Sequence, residues 1–108
     1  MILFLDFDGV LHPEPCYQQE ELFCRLHILE SVLYDFPSVE VVISSTWRDT
    51  RTLAELKNLF SVDIAPRIID VTPNWKTLLE LCETIGYTYI REVEITGWLR
   101  RTERVWEP

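Results

Sequence analysis

Several things are scarce or missing in this chain, and each absence removes a class of protein. No apolar run approaches the length of a membrane span. The apolar start, Met1 to Leu5, is too short for a signal-peptide core and has no basic leader. Cysteines are few: Cys16, Cys24 and Cys82 show no CxxC spacing, and their odd number argues against a disulfide framework. A reducing, cytoplasmic setting is expected. Positive charge is also scarce, with 10 Lys and Arg against 18 Asp and Glu and a net charge of -8. That balance weighs against broad nonspecific contact with a phosphate backbone. No Gly/Ser/Pro-rich tract marks a linker or a disordered segment, and no internal repeat is present.

What is present suits a folded globule. Apolar residues make up 47% of the 108, with four Trp, four Tyr and five Phe, enough for one core and too short a chain for two. Residues 1–108 therefore read as a single domain. Ile2 to Phe7 is an apolar run broken by Asp6, the pattern of a strand covered on both faces. Leu22, Phe23, Leu26, Leu29, Val32, Leu33 and Phe36 recur at helical steps and predict a helix from about Gln18 to Asp35, stopped by Pro37. The β-branched run Val39 to Ile43 predicts a second strand, parallel to the first because the crossover is long. A helix over Thr50 to Phe60 and a short strand over Arg67 to Val71 continue the alternation. Thr72 and Pro73 read as the cap and first residue of a helix "PNWKTLLELCET" that Gly86 ends. A last helix is expected from about Glu92 to Arg101.

This order implies an α/β, Rossmann-like three-layer sandwich with a mostly parallel sheet, in which ligands sit beyond the carboxyl ends of the strands. Asp6, Asp8 and Ser44 all fall there. "DFDGV" alone could be a tight turn, since Asp-Gly is a strong hairpin signal. Against that, the next strand is some thirty residues away, and a charge inside an apolar run costs several kcal/mol unless it has a partner. Two carboxylates at i and i+2 repel, and Mg²⁺, which accepts one or two carboxylates with waters and phosphate oxygens, relieves both burdens. One carboxylate can then attack phosphorus while the other handles the proton.

The stretches "FLDFDGVLH", "VVISSTWR", "DVTP" and "REVEITGWL" together resemble the haloacid dehalogenase (HAD) superfamily of phosphohydrolases, in the form of the small capless HAD domains of Swiss-army-knife RNA repair proteins. The resemblance covers nearly the whole chain. It implies that Asp6 is the nucleophile and a metal ligand, that Asp8 is the general acid/base with its backbone carbonyl on the metal, and that Ser44 holds a phosphoryl oxygen. Gly9 lets the backbone approach the ligand. Ser45 and Thr46 are alternates for the hydroxyl or caps of the next helix, Trp47 is a packing residue, and Arg48 either reaches the crevice or pairs with an acid. A cation offsetting phosphoryl charge falls to Arg91, or to Lys76 as runner-up. The Arg91, Arg100, Arg101 and Arg104 cluster reads more simply as a solvated helix face.

Two departures qualify the resemblance. The superfamily's fourth motif, an acidic pair at the end of another strand, should follow "RVWEP", where the chain stops, and Asp49, Asp63 and Asp70 are in the wrong order to replace it. The expectation is either a domain incomplete at its C-terminus that lacks the fourth core strand or a natural protein without a full metal site, with a strand edge inviting a homodimer or swapped dimer. No insertion is long enough for a cap, so the site should be open and suited to a phosphate on a macromolecule. The reading is thus a Mg²⁺-dependent phosphohydrolase. Its alternative is a weak or inactive HAD-like module that binds phosphate, metal or a protein partner. A receiver domain fits less well, because "DxDG" at the N-terminus does not match its acidic pocket.

Overall fold

The structure is a computed structural model that describes residues 1–8, 10–12, 22–86 and 90–102, with the backbone alone at Ile85. Two compact units divide the chain, Met1–Val71 and Thr72–Pro108. The first is an α/β unit built on a three-stranded parallel sheet in the order β1-β2-β3, with β1 Ile2–Leu5, β2 Glu40–Ile43 and β3 Ile68–Val71. Ile2 to Leu5 pair with Glu40 to Ile43 in step, so Asp6 and Ser44 follow at the carboxyl ends of adjacent strands. Ser44 extends the ladder by donating its backbone N–H to the Leu5 carbonyl at 2.7 Å.

Helices α1 (Leu26–Asp35) and α2 (Leu53–Lys57) complete this unit. Val41, Ile43 and Ile68 of the sheet form a buried cluster with Leu33 of α1 and Leu56 of α2, joined by Phe7, Leu11, Phe60 and Ile64 from the connections. The central strand β2 has Val41, Val42 and Ile43 wholly buried, which accounts for its uninterrupted β-branched sequence. Arg67, on a 3₁₀ turn (Ala65–Arg67), ties the ends together. Its guanidinium donates to the carbonyls of Leu33, Phe36 and Val39, which satisfies the last turn of α1 and the entry to β2.

Local turn chemistry moved several helix boundaries away from the periodic pattern. The helix expected from Gln18 begins at Leu26: Phe23 takes a left-handed φ of 57°, which an α-helix does not accept. Residues 18–21 lie outside the described residues. Val32 and Phe36, counted in the apolar stripe, are exposed, so the buried face of α1 is narrower than its sequence suggests. The helix expected over Thr50 to Phe60 is reduced to Leu53–Lys57, because Thr52 forms a capping box with Glu55 that sets the start. A 3₁₀ turn, Thr46–Asp49, precedes it.

In the second unit, the helix expected from Pro73 is divided. Asn74, not Thr72, supplies the cap, its side chain accepting from Lys76 N–H at 2.9 Å to start a 3₁₀ turn over Trp75–Thr77. Helix α3 (Leu79–Ile85) follows and ends at Gly86, whose φ of 110° suits glycine. Helix α4 runs Ile90–Arg101, two residues earlier than expected, and packs against α3 and the 3₁₀ turn. Val93, Glu94, Gly97 and Trp98 are its buried residues. No helix among the described residues is long and apolar enough to cross a membrane.

Candidate active site

The ends of β1 and β2 and the loops leaving them bring the candidate residues of the first unit side by side. β1 stops at Leu5, so Asp6 is the first residue beyond the strand and only partly buried. The charge thus sits at the rim of the sheet, not inside it. Its Oδ1 accepts the N–H of Phe7, the next residue, at 2.8 Å. Phe7 itself is wholly buried, and its carbonyl accepts from both Val10 N–H and Leu11 N–H, curling the loop so that Asp8 bridges to His12. Gly9 lies outside the described residues.

The Asp8 side chain is held by two others. Its Oδ1 receives His12 Nε2 at 2.8 Å and the indole Nε1–H of Trp47 at 3.2 Å. His12 is 2% exposed, and its other ring nitrogen, Nδ1, accepts the backbone N–H of Phe23 at 3.3 Å. A backbone N–H can only donate, so Nδ1 carries the lone pair and Nε2 the proton aimed at Asp8. Phe23 and Trp47 flank the imidazole with edge-to-face and tilted ring contacts, at 5.1 Å and 5.8 Å between centroids, and Phe7 packs in turn against both of them.

Across the sheet, the two serines after β2 divide their work. Ser45 Oγ accepts Trp47 N–H and caps the 3₁₀ turn Thr46–Asp49. Ser44 Oγ is buried with no hydrogen-bond partner among the described residues. A buried hydroxyl without a partner is uncommon and asks for a ligand. Arg48, with a side chain 5% exposed, donates Nη1 to the Ser45 carbonyl and lies 4.0 Å from Asp49, so it pairs within its own turn. Trp47 packs as expected, stacks under Arg51 at 4.2 Å, and also holds Asp8.

Lys76 and Arg91 belong to the second unit. Arg91 Nη1 binds Glu94 Oε1 at 3.0 Å, while Glu94 Oε2 accepts Trp75 N–H at 2.8 Å, so a buried carboxylate links α4 to the 3₁₀ turn. Lys76 is exposed, its ammonium 5.9 Å from the Trp75 ring.

His12 and Trp47 escaped sequence reasoning as site residues. His12 stood in plain view four residues after Asp8, but the partnership with Trp47, 39 residues away in sequence from Asp8, left no local signal. Among the described residues no group of three or more His, Cys, Asp or Glu side chains is placed to hold a metal ion. The donors at the strand end are two carboxylates and backbone carbonyls, hard oxygen ligands of the kind Mg²⁺ takes when waters and phosphate oxygens complete its shell. Asp6 and Asp8 are compatible with such a sparse site and would not by themselves make a closed one.

Neither a curated protein nor a solved structure matches the chain. A family model does match, over residues 2–107, and it is described as the HAD domain in Swiss Army Knife RNA repair proteins. With "DFDG" leaving β1, Ser44 leaving β2 and a parallel sheet between them, the chain belongs to this family of HAD domains.

Proposed function

We propose that the domain is a Mg²⁺-dependent phosphohydrolase that cleaves phosphomonoesters through an aspartyl-phosphate on Asp6. Membership of a HAD family supports phosphohydrolase-type chemistry at the family level. One observation carries the finer reading: the buried Ser44 hydroxyl, without a partner among the described residues, leaves β2 beside the point where Asp6 leaves β1. A phosphoryl oxygen would satisfy that hydroxyl, with the phosphorus in reach of a carboxylate one strand away.

The chemistry balances with the residues at hand. A carboxylate oxygen of Asp6 bonds to phosphorus as the bond to the leaving oxygen breaks, and Asp8 gives that oxygen its proton. Asp8 then takes a proton from water as the water oxygen attacks phosphorus and the Asp6–phosphorus bond breaks, releasing inorganic phosphate. Mg²⁺, held by Asp6 and the Asp8 backbone carbonyl, would neutralise phosphoryl charge. Ser45 and Arg48, beside Ser44 on the turn after β2, would shape the rest of the phosphate pocket. The substrate is proposed to carry its phosphate on a macromolecule; a partner copy at a sheet edge is a further proposal, read by light scattering at micromolar concentration.

The test is Mg²⁺-dependent hydrolysis of an aryl phosphate, with Asp6→Asn as the paired control. Turnover that the substitution abolishes supports the reading, and turnover that survives it removes Asp6 as nucleophile. A second reading, a module that binds phosphate without turning it over, is favoured by the lack of a third acidic ligand among the described residues. Phosphate binding without turnover in the wild-type chain would select it.

A further inference from the structure

We infer that His12 and Trp47 are positioning residues that hold the Asp8 carboxylate in one orientation and thereby set the efficiency of proton transfer to the leaving oxygen. The inference rests on the hydrolase reading proposed above. Asp8 sits in a loop with its side chain 31% exposed, where an unrestrained carboxylate would exchange rotamers and rotate its two oxygens. Both N–H donors converge instead on the same atom, Oδ1. Among the described residues nothing engages Oδ2, so one oxygen is anchored and the other is left to carry the proton.

The anchor is itself fixed from three sides. His12 comes from the loop after β1, Trp47 from the turn after β2, and Phe23 N–H from the turn before α1. The Phe23 N–H selects the His12 tautomer that presents Nε2–H to Asp8, and the ring contacts of Phe23 and Trp47, backed by Phe7, oppose a turnover of the imidazole. A buried histidine with both nitrogens satisfied is costly to misplace. None of these groups touches the reacting atoms. They act through Asp8, as supports that orient metal-ligating and catalytic groups commonly do.

The role has a signature that simple structural damage lacks. Departure of an alkoxide needs a proton from Asp8, whereas p-nitrophenolate leaves nearly without one, so the two substrates weigh Asp8 differently in kcat/KM. Expected for His12→Ala is a fall of about a hundredfold with an alkyl phosphate and less than about fivefold with p-nitrophenyl phosphate. His12→Gln returns an N–H near the Nε2 position and should recover most of the alkyl activity. Trp47→Phe, which keeps a ring in the cluster, should show a smaller loss in the same direction. Far-UV circular dichroism and thermal unfolding identify which variants remain folded.

Equal losses on both substrates, or no recovery in folded His12→Gln, would overturn the inference. A wild-type chain inactive on both substrates would defeat the hydrolase reading and the catalytic use of the clamp together. Nitrogen-15 NMR of the imidazole then separates the two failures. A single Nε2–H tautomer whose resonances move in Asp8→Asn upholds the clamp, and a ring averaging between tautomers refutes it.

Discussion

Ser44→Ala should make the protein more stable and less active. The Ser44 side chain is 4% exposed, and its hydroxyl has no partner among the described residues. Burying such a group unpaired costs about 1–3 kcal/mol. Alanine removes the oxygen and leaves a void of roughly 10–15 Å³, which costs about 0.3 kcal/mol at the usual cavity rate. The balance is a gain of about 1 kcal/mol, or an increase in Tm of about 4–8 °C for a domain near this size. If the hydroxyl serves a phosphoryl oxygen, the same substitution removes a fixed donor and should lower kcat/KM about a hundredfold. Urea unfolding without ligand and phosphate-ester kinetics measure the two quantities on one preparation. A variant that is destabilised by more than about 1 kcal/mol while keeping full activity would refute the reasoning, because the hydroxyl would then be a structural donor.

Three other substitutions probe the frame around the site. Arg67→Met removes the donors that reach the carbonyls of Leu33, Phe36 and Val39, of which the first two keep a backbone N–H, and should cost about 2–3 kcal/mol in urea unfolding, with Arg67→Lys recovering less than half because an ammonium cannot reproduce the fork. Glu94→Ala removes the acceptor of Trp75 N–H and the partner of the 40% exposed Arg91, and a loss of about 2 kcal/mol by thermal unfolding is expected, with Glu94→Gln losing about half as much. The Glu55 carboxyl titrates below its ordinary value of 4.5, chiefly because it accepts the Thr52 backbone N–H and then through the Thr52 side chain. A carboxylate with a lowered folded-state value supports stability above the unfolded value and loses that support as pH falls through the folded one. Glu55→Gln should therefore flatten the part of the stability profile below about pH 4.5, and urea midpoints from about pH 3 to 7 would show it.

The sequence by itself determined the strands and their parallel direction. Runs such as "ILFL" and "VVI" have few alternatives to a strand, and the long connections between them leave little but a parallel arrangement, although β1, last in the sheet order, buries only Leu5 fully while Ile2, Leu3 and Phe4 are half-buried. It also placed Asp6, Asp8 and Ser44 at strand ends, because a residue's place after a strand is a matter of counting. Helix boundaries were less legible: the apolar periodicity of α1 runs through Phe23, yet a left-handed φ there ends what the pattern would continue. The caps at Thr52 and Asn74 decided two other starts through side-chain hydrogen bonds that compete with helix extension.

Only the tertiary structure decided which groups those strand-end residues meet. Ser44 and Ser45 are alike as letters, and the turn after β2 determined which hydroxyl became a cap and which was left buried without a partner among the described residues. Trp47 reads as a packing residue until the sheet brings its indole N–H to an oxygen 39 positions earlier in the chain. His12 becomes a support for Asp8 only when Phe23 N–H, from the far end of a long connection, selects its tautomer. Periodicity records which side chains must leave water, whereas the directions of hydrogen bonds between distant segments exist only once the chain has folded.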